Sequence, residues 1–220
     1  MAMILIGQYD SPFVRRVGVT LHHYGIPFGR RVLSVFDDFE TVRAMNPLGQ
    51  VPTLELDDGE RLFDSRMILD FVDGLVSPEQ CLTPSREPDR HRVLRVEAVA
   101  LGLAEKAVQW RTELHRRSPD RRDPAWARRL EEQVVSALEW LEDRQPSPWF
   151  HGPRMTRADV LGAIVITYLR NKHAQFMHAR AFPALEALCA RCEALPEFEA
   201  APYPGAEGQA GGADHPGLTK

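Results

Sequence analysis

Cysteine is scarce in this chain, and so is lysine. Cys81, Cys189 and Cys192, three in 220 residues, form neither the even, spaced set of a disulfide framework nor the paired ligands of a structural zinc site. Cys189 and Cys192 have C-x-x-C spacing, but they sit in an Ala/Leu-rich helical stretch without βαβ context, which points to helix packing. Lysine occurs at Lys106, Lys172 and Lys220 alone, the other basic residues being arginine, a usage that fits a GC-rich bacterial coding bias. No apolar run reaches the roughly 18 residues of a membrane span, and the N-terminus lacks the basic, apolar and cleavable layout of a secretory signal. A net charge of −4 gives no global field to draw nucleic acid or an anionic membrane. His22 and His23 fall on different helix faces, and His173 and His178 lack i,i+4 spacing, so no metal site is predicted. These absences predict a reduced, cytoplasmic protein without a metal, a nucleic-acid partner or a membrane partner.

What the chain does have begins with Gln8-Tyr9-Asp10-Ser11-Pro12-Phe13, where a short apolar run, Met3 to Ile6, turns into an amphipathic helix reaching about Tyr24. Ser11 followed by Pro12 reads as a helix start, because the hydroxyl can cap a free backbone N–H and proline suits the first helical position. A strand feeding a helix N-terminus aims several N–H groups and the positive end of a dipole at one point, where an anion fits. Taken alone, Ser11 could be no more than a good cap.

The next 75 residues or so carry the order β-α-β, linker, β-β-α. Phe28 to Val35 reads as a second strand parallel to the first, and Asp37 to Met45 as a weak helix. Asn46-Pro47-Leu48-Gly49 reads as a turn. Gln50-Val51-Pro52-Thr53-Leu54-Glu55-Leu56 leads through Asp57-Asp58-Gly59-Glu60 into Arg61 to Phe63, a hairpin by its Asp-Gly signal. The Val51-Pro52 bond, at a strand entrance, is open to either isomer. Asp64-Ser65 heads a third helix, with Ser65 as cap and Met67, Ile68, Phe71, Val72 and Leu75 as its buried face.

Residues 78–88 read as a linker, and beyond it the pattern is wholly helical. A long helix from Asp89 to about His115 carries one apolar stripe through Val93, Ala100 and Trp110, and another through Leu94, Ala98, Leu101 and Val108. The Arg116-Arg117 and Arg121-Arg122 pairs read as solvated surface. Asp123-Pro124 starts a helix expected to turn Trp126, Leu130, Val134 and Leu138 inward. Thr156 and Asp159 form a capping box with Met155 and Val160 as its staple, and the apolar run Leu161 to Leu169 marks a buried central helix. A last helix spans about Pro183 to Leu195, and the Gly-rich end from residue 206 is predicted to be a disordered tail.

Ser11-Pro12-Phe13 with Arg16, Asn46 to Pro52, Asp64-Ser65 before Ile68, Thr156 with Asp159, and Phe182-Pro183 before Leu195-Pro196 follow one another in an order that resembles a cytosolic glutathione S-transferase of the serine type. Ser-Pro-Phe is similar to the tau-like branch and to many bacterial relatives. The resemblance implies a thioredoxin-like α/β domain over residues 1–77, an all-α helical bundle domain over 89–205 and a homodimer. It implies glutathione as co-substrate: Ser11 is the catalytic hydroxyl on the sulfur, Val51 pairs with the cysteinyl backbone, Asp64 and Ser65 hold the γ-glutamyl end, and Phe13, Gln50 and Pro52 complete the glutathione site. Phe13 and Trp110 would line a pocket for a small hydrophobic electrophile, with core packing the other reading of Trp110. Gln50 stands where tau-like members often carry a basic residue, and Phe36-Asp37-Asp38 does not reproduce their lysine, so the glycyl carboxylate has no assigned partner. Tyr9 is the alternative hydroxyl, as in tyrosine-type members. A non-catalytic interaction protein of the same fold is the alternative function.

Overall fold

The computed structural model describes residues 3–178 and 180–204; the predicted tail lies outside the described residues. Strand β1 (Met3–Ile6) leads into helix α1 (Pro12–His23), followed by β2 (Phe28–Arg31), α2 (Phe39–Met45), β3 (Thr53–Glu55), β4 (Arg61–Leu62) and α3 (Ser65–Asp73). The four strands form one mixed sheet in the order β2-β1-β3-β4. Met3 of β1 pairs in parallel with Phe28, Leu5 pairs antiparallel with Leu54, and Leu54 pairs in turn with Leu62. The hairpin closes at Asp57 to Glu60, where the Leu56 N–H donates to the Glu60 carbonyl at 2.8 Å and Gly59 takes the left-handed φ of 86° that a side chain would resist.

Two details depart from the sequence reading. β2 stops at Arg31 because β1 ends at Ile6, and the Gly7 N–H donates to the Arg31 carbonyl, leaving Val32 to Val35 without a strand to pair with. In α3 the cap is Asp64 rather than Ser65: the Asp64 carboxylate accepts from the N–H groups of Arg66 and Met67, and Ser65 is the first helical residue. The buried face of α3 is Ser65, Ile68, Leu69 and Val72, while Met67 and Leu75 are exposed.

The rest is helical: α4 (Asp89–Arg111) with a π turn (Thr112–Arg116), α5 (Pro124–Glu142), α6 (Arg157–Lys172), α7 (Ala174–His178), α8 (Pro183–Glu193) and α9 (Pro196–Glu199). Trp126, expected to point inward, is exposed, and Ala127 takes the buried position beside it. On the second stripe of α4, Leu101 is buried but Ala98 faces solvent. α7 had no counterpart in the sequence pattern, and the end of the long helix expected to reach about His115 is a π turn rather than α-helix.

α6 is apolar all round because it serves two cores at once. Val160, Ala163 and Ile164 join Leu5, Val14, Val17 and Leu54 beneath the sheet. Leu161, Val165 and Leu169 join Val93, Leu103, Leu130 and Val134 in the helical bundle. α8 divides in the same way, with Cys189 in the bundle core and Cys192 in the sheet core; both thiols are free and buried. Arg15, fully inside α1, adds a polar tie, its guanidinium bonding both carboxylate oxygens of Glu193 and its Nε donating to the Ala201 carbonyl at 2.8 Å.

Candidate functional site

The site is built where β1 gives way to α1. The Ser11 N–H donates to the Gln8 carbonyl at 3.1 Å, closing the turn, and the Ser11 Oγ accepts from the Val14 N–H at 3.4 Å. That contact is long for a cap, and it uses an oxygen lone pair only, so the Ser11 O–H stays available as a donor. Gly7 lets the segment before β3 come close: a Cβ there would lie 2.6 Å from the Val14 Cγ2 and 3.0 Å from the Val51 Cβ. Val51 thus sits against the same turn as Ser11, and the Val51–Pro52 bond is cis.

Ser11 and Val51 line a groove of about 640 Å³ between the sheet side and the helical bundle. Arg30 and residues 32–37 form one wall; Val108, Arg111, Thr112 and Arg116 of α4 and its π turn, with Tyr168 and Lys172 of α6, form the other. Pro12 is buried beside Ser11. The other expected site residues stand outside the lining. Phe13 is half-buried and packs against the bundle core. Gln50 is exposed, its carbonyl accepting from the Asn46 side-chain amide at 2.9 Å, and Pro52 is buried at the start of β3. Asp64 is exposed with one oxygen occupied by capping, and Ser65 is buried behind it.

Trp110 does not reach the groove. Its indole is packed edge-on to His173 at 5.3 Å and to Phe176 at 5.1 Å between ring centroids, which makes it part of the bundle core. Tyr9 touches the groove with its ring, whose face carries the Arg30 guanidinium at 3.5 Å. Its hydroxyl runs the other way, under α1, where a Cβ on Gly18 would come within 2.5 Å of it. Burial pushes the Tyr9 phenol above its ordinary pKa, Arg30 and Arg15 opposing the shift.

The electrostatics of the groove carry no signature in any one stretch of sequence. Arg30, Arg111, Arg116 and Lys172 face the carboxylates of Asp10 and Asp37. The Lys172 ammonium is 4.0 Å from Asp10, and the Arg116 guanidinium lies 3.7 Å over the Phe36 ring. Burial lowers the Lys172 pKa, and Arg111 and Arg116 lower it further against the pull of Asp10. Tyr168 is pushed up to about 12, mainly by burial. Arg116 was expected at a solvated surface; it ends the π turn and lines the groove, against Phe36 of the opposite wall.

A second cavity of about 690 Å³ lies between residues 78–89 and 149–156 and includes the half-buried Cys81. None of the expected site residues lines it. Among the described residues there is no group of three or more His, Cys, Asp or Glu arranged to hold a metal, and no helix long and apolar enough to cross a membrane.

Comparison with known proteins agrees with this geometry. The family models of the glutathione S-transferase N-terminal and C-terminal domains match residues 5–80 and 110–200. The chain is 33% identical over 106 residues to the "uncharacterized GST-like protein YibF" of Escherichia coli K12, a match spanning 48% of this chain and 52% of that protein. A glutathione S-transferase from Methylobacillus flagellatus KT, solved with glutathione bound, superposes with a TM-score of 0.84 at 26% identity, covering 90% of this chain and 98% of the other. A glutathione transferase family member from Pseudomonas fluorescens Pf-5, also with bound glutathione, superposes at 0.81 with 28% identity, covering 92% and 100%. The chain belongs to the glutathione S-transferase family, with a thioredoxin-like N-terminal domain and a helical C-terminal domain.

Proposed function

We propose that this protein is a glutathione transferase of the serine type, close to the tau-like and bacterial branch, in which Ser11 donates a hydrogen bond to the glutathione sulfur. The observation that carries the reading is the Ser11 hydroxyl, held at a helix N-terminus with its O–H to spare and opening onto a cationic groove. Two structural neighbours with glutathione bound support the choice of thiol. In this reading Val51 pairs with the cysteinyl backbone, while Asp64 and Ser65 receive the γ-glutamyl end, the free Asp64 oxygen drawing its ammonium. Phe13, Gln50 and Pro52, outside the groove lining, act as supports of Ser11 and Val51 near them in the chain. Residues 1–77 form the glutathione-binding unit, 78–88 the linker and 89–205 the helical unit. The working form is a cytoplasmic homodimer.

The reaction forms a carbon–sulfur bond on the electrophile. The leaving group departs with its bonding pair, and the thiol proton passes to solvent. A thiol of pKa near 8.5 is about 3% ionised at pH 7, and lowering it by about two units gives roughly 25-fold more thiolate. The less basic sulfur attacks about 6- to 10-fold more slowly, by a Brønsted slope of about 0.4 to 0.5, so ionisation alone gains only a few-fold. Holding the electrophile beside the sulfur must supply the larger part.

Ser11→Ala is expected to raise the bound-thiol pKa by about one unit or more and to cut kcat/KM at least about 10-fold, as loss of a hydrogen bond to a charged group implies. Ultraviolet thiolate absorbance and initial rates with an aryl chloride measure the two effects. Tyr9→Phe should change neither. The opposite pattern would transfer the role to Tyr9, and no calorimetric binding of reduced glutathione at millimolar concentration would overturn the reading entirely.

A further inference from the structure

Three of the four groove cations come from the helical wall: Arg111 at the end of α4, Arg116 in the π turn and Lys172 at the end of α6. All three line the same groove as Ser11, whose lining does not include Asp64 or Ser65, the residues assigned to the γ-glutamyl end. Among the described residues, Arg111 and Arg116 form no ion pair, and Lys172 has only Asp10, at 4.0 Å. The sequence reading had this pocket as hydrophobic.

We propose, building on the transferase reading, that the electrophile of this protein carries a carboxylate on an aromatic or unsaturated frame, bound by Arg111, Arg116 and Lys172. The cations crowd one another in a partly desolvated place: the Lys172 side chain is 11% exposed, and the two arginines destabilise its charge. An incoming anion removes that mutual repulsion and gains charge-assisted hydrogen bonds, the guanidinium fork matching a carboxylate. Val108, Tyr168 and the Phe36 ring beneath Arg116 provide flat apolar surface for the rest of the molecule. For an aryl chloride, the thiolate adds at the chlorine-bearing carbon and chloride leaves with the carbon–chlorine pair. The carboxylate takes no part in the bond changes and serves to hold the ring.

The test compares 4-chloro-3,5-dinitrobenzoate with 1-chloro-2,6-dinitrobenzene, the same ring without the carboxylate, each rate divided by its uncatalysed rate with glutathione. The acid is expected to be favoured at least about 10-fold at low salt and to lose most of that preference at about 0.5 M salt, where screening is strong. Arg111→Met and Arg116→Met should each cut the acid-to-neutral ratio of kcat/KM about 10-fold, with the loss not confined to a rise in the KM for glutathione. Equal wild-type activity on both substrates, an equal loss on both in the variants, or a rise confined to the glutathione KM would overturn the proposal; the last would assign these cations to glutathione itself. If neither substrate turns over, calorimetry with the two S-aryl glutathione conjugates decides. Tighter binding of the carboxylated conjugate upholds the anion site and counts against catalysis, equal binding overturns the anion site alone, and no binding of glutathione or of either conjugate overturns both readings.

Discussion

His173 ends α6 completely buried, and neither ring nitrogen has a hydrogen-bond partner among the described residues. The rings of Trp110, Tyr168 and Phe176 surround it, and Arg111, His115 and Lys172 are the charges that act on it. Burial, then those cations, bring its pKa down to about 4. The folded protein therefore keeps His173 neutral while the unfolded chain protonates it below about pH 6.5, so the unfolded state binds more protons across that window and stability falls as pH drops through it. Up to about 3 kcal/mol is at stake for this one residue. His173→Leu should flatten the wild-type loss of stability between about pH 6.5 and 4, measured by urea unfolding at several pH values. An unchanged slope would mean that His173 finds a partner for its proton in the fold. Identities at this scale were only partly legible. Ser11 was read correctly as a cap, since capping depends on immediate neighbours. Trp126 was assigned to the wrong face and Trp110 was left between pocket and core, because which side of a helix an indole buries depends on elements far away in the chain. Tyr9 and Ser11 both carry a hydroxyl, one a phenol and the other an alcohol, and the burial of the Tyr9 hydroxyl under Gly18 keeps it from the groove that Ser11 faces.

Elements were far more legible where local chemistry sets them. Asp123 caps α5 through the N–H groups of Ala125 and Trp126, ahead of Pro124 as the pattern required. Asp159 goes further than its capping box: its carboxylate accepts from the Thr156 N–H at 2.8 Å, the Thr156 hydroxyl at 2.7 Å and the Phe150 N–H at 2.7 Å. The first bond is the one the capping-box spacing predicts; the hydroxyl bond and the Phe150 bond, which ties in the 147–155 loop, were not readable from it. Burial raises the pKa of Asp159, and the same donors hold it back. Asp159→Asn keeps the shape but has one acceptor oxygen where three donors converge. A loss of about 2 to 3 kcal/mol is expected, seen as a fall of roughly 5 to 10 °C in Tm. A shift below a degree would show that the loop and the helix start hold without the carboxylate. β2 was misjudged because strand length depends on the partner's length, and the π turn because its register follows from packing rather than from periodicity.

At the scale of the whole molecule, the sequence separated an α/β part from a helical part but gave no sign of how they join. The joint is a buried ion network. The Arg16 guanidinium of α1 bonds the Glu97 carboxylate of α4, and Arg157 of α6 donates to the same oxygen at 2.9 and 3.2 Å. Arg157 also reaches Asp73 and Thr83 at 3.3 Å, and Asp73 accepts from the Tyr24 hydroxyl at 2.6 Å. These partners lie 49 to 84 residues apart, beyond any window of periodicity. Burial brings Arg16 down to about 10 even with Glu97 supporting its charge. Because α6 and α8 also feed both cores, the two parts should unfold as one cooperative unit. Glu97→Gln would leave Arg16 and Arg157 buried without their shared anion, a change that costs about 3 to 5 kcal/mol. The expected calorimetric result is a single transition moved down by roughly 10 °C or more. A split into two transitions, one near the original Tm, would mean instead that the shared cores are too weak to couple the parts and that Glu97 alone had been holding them together.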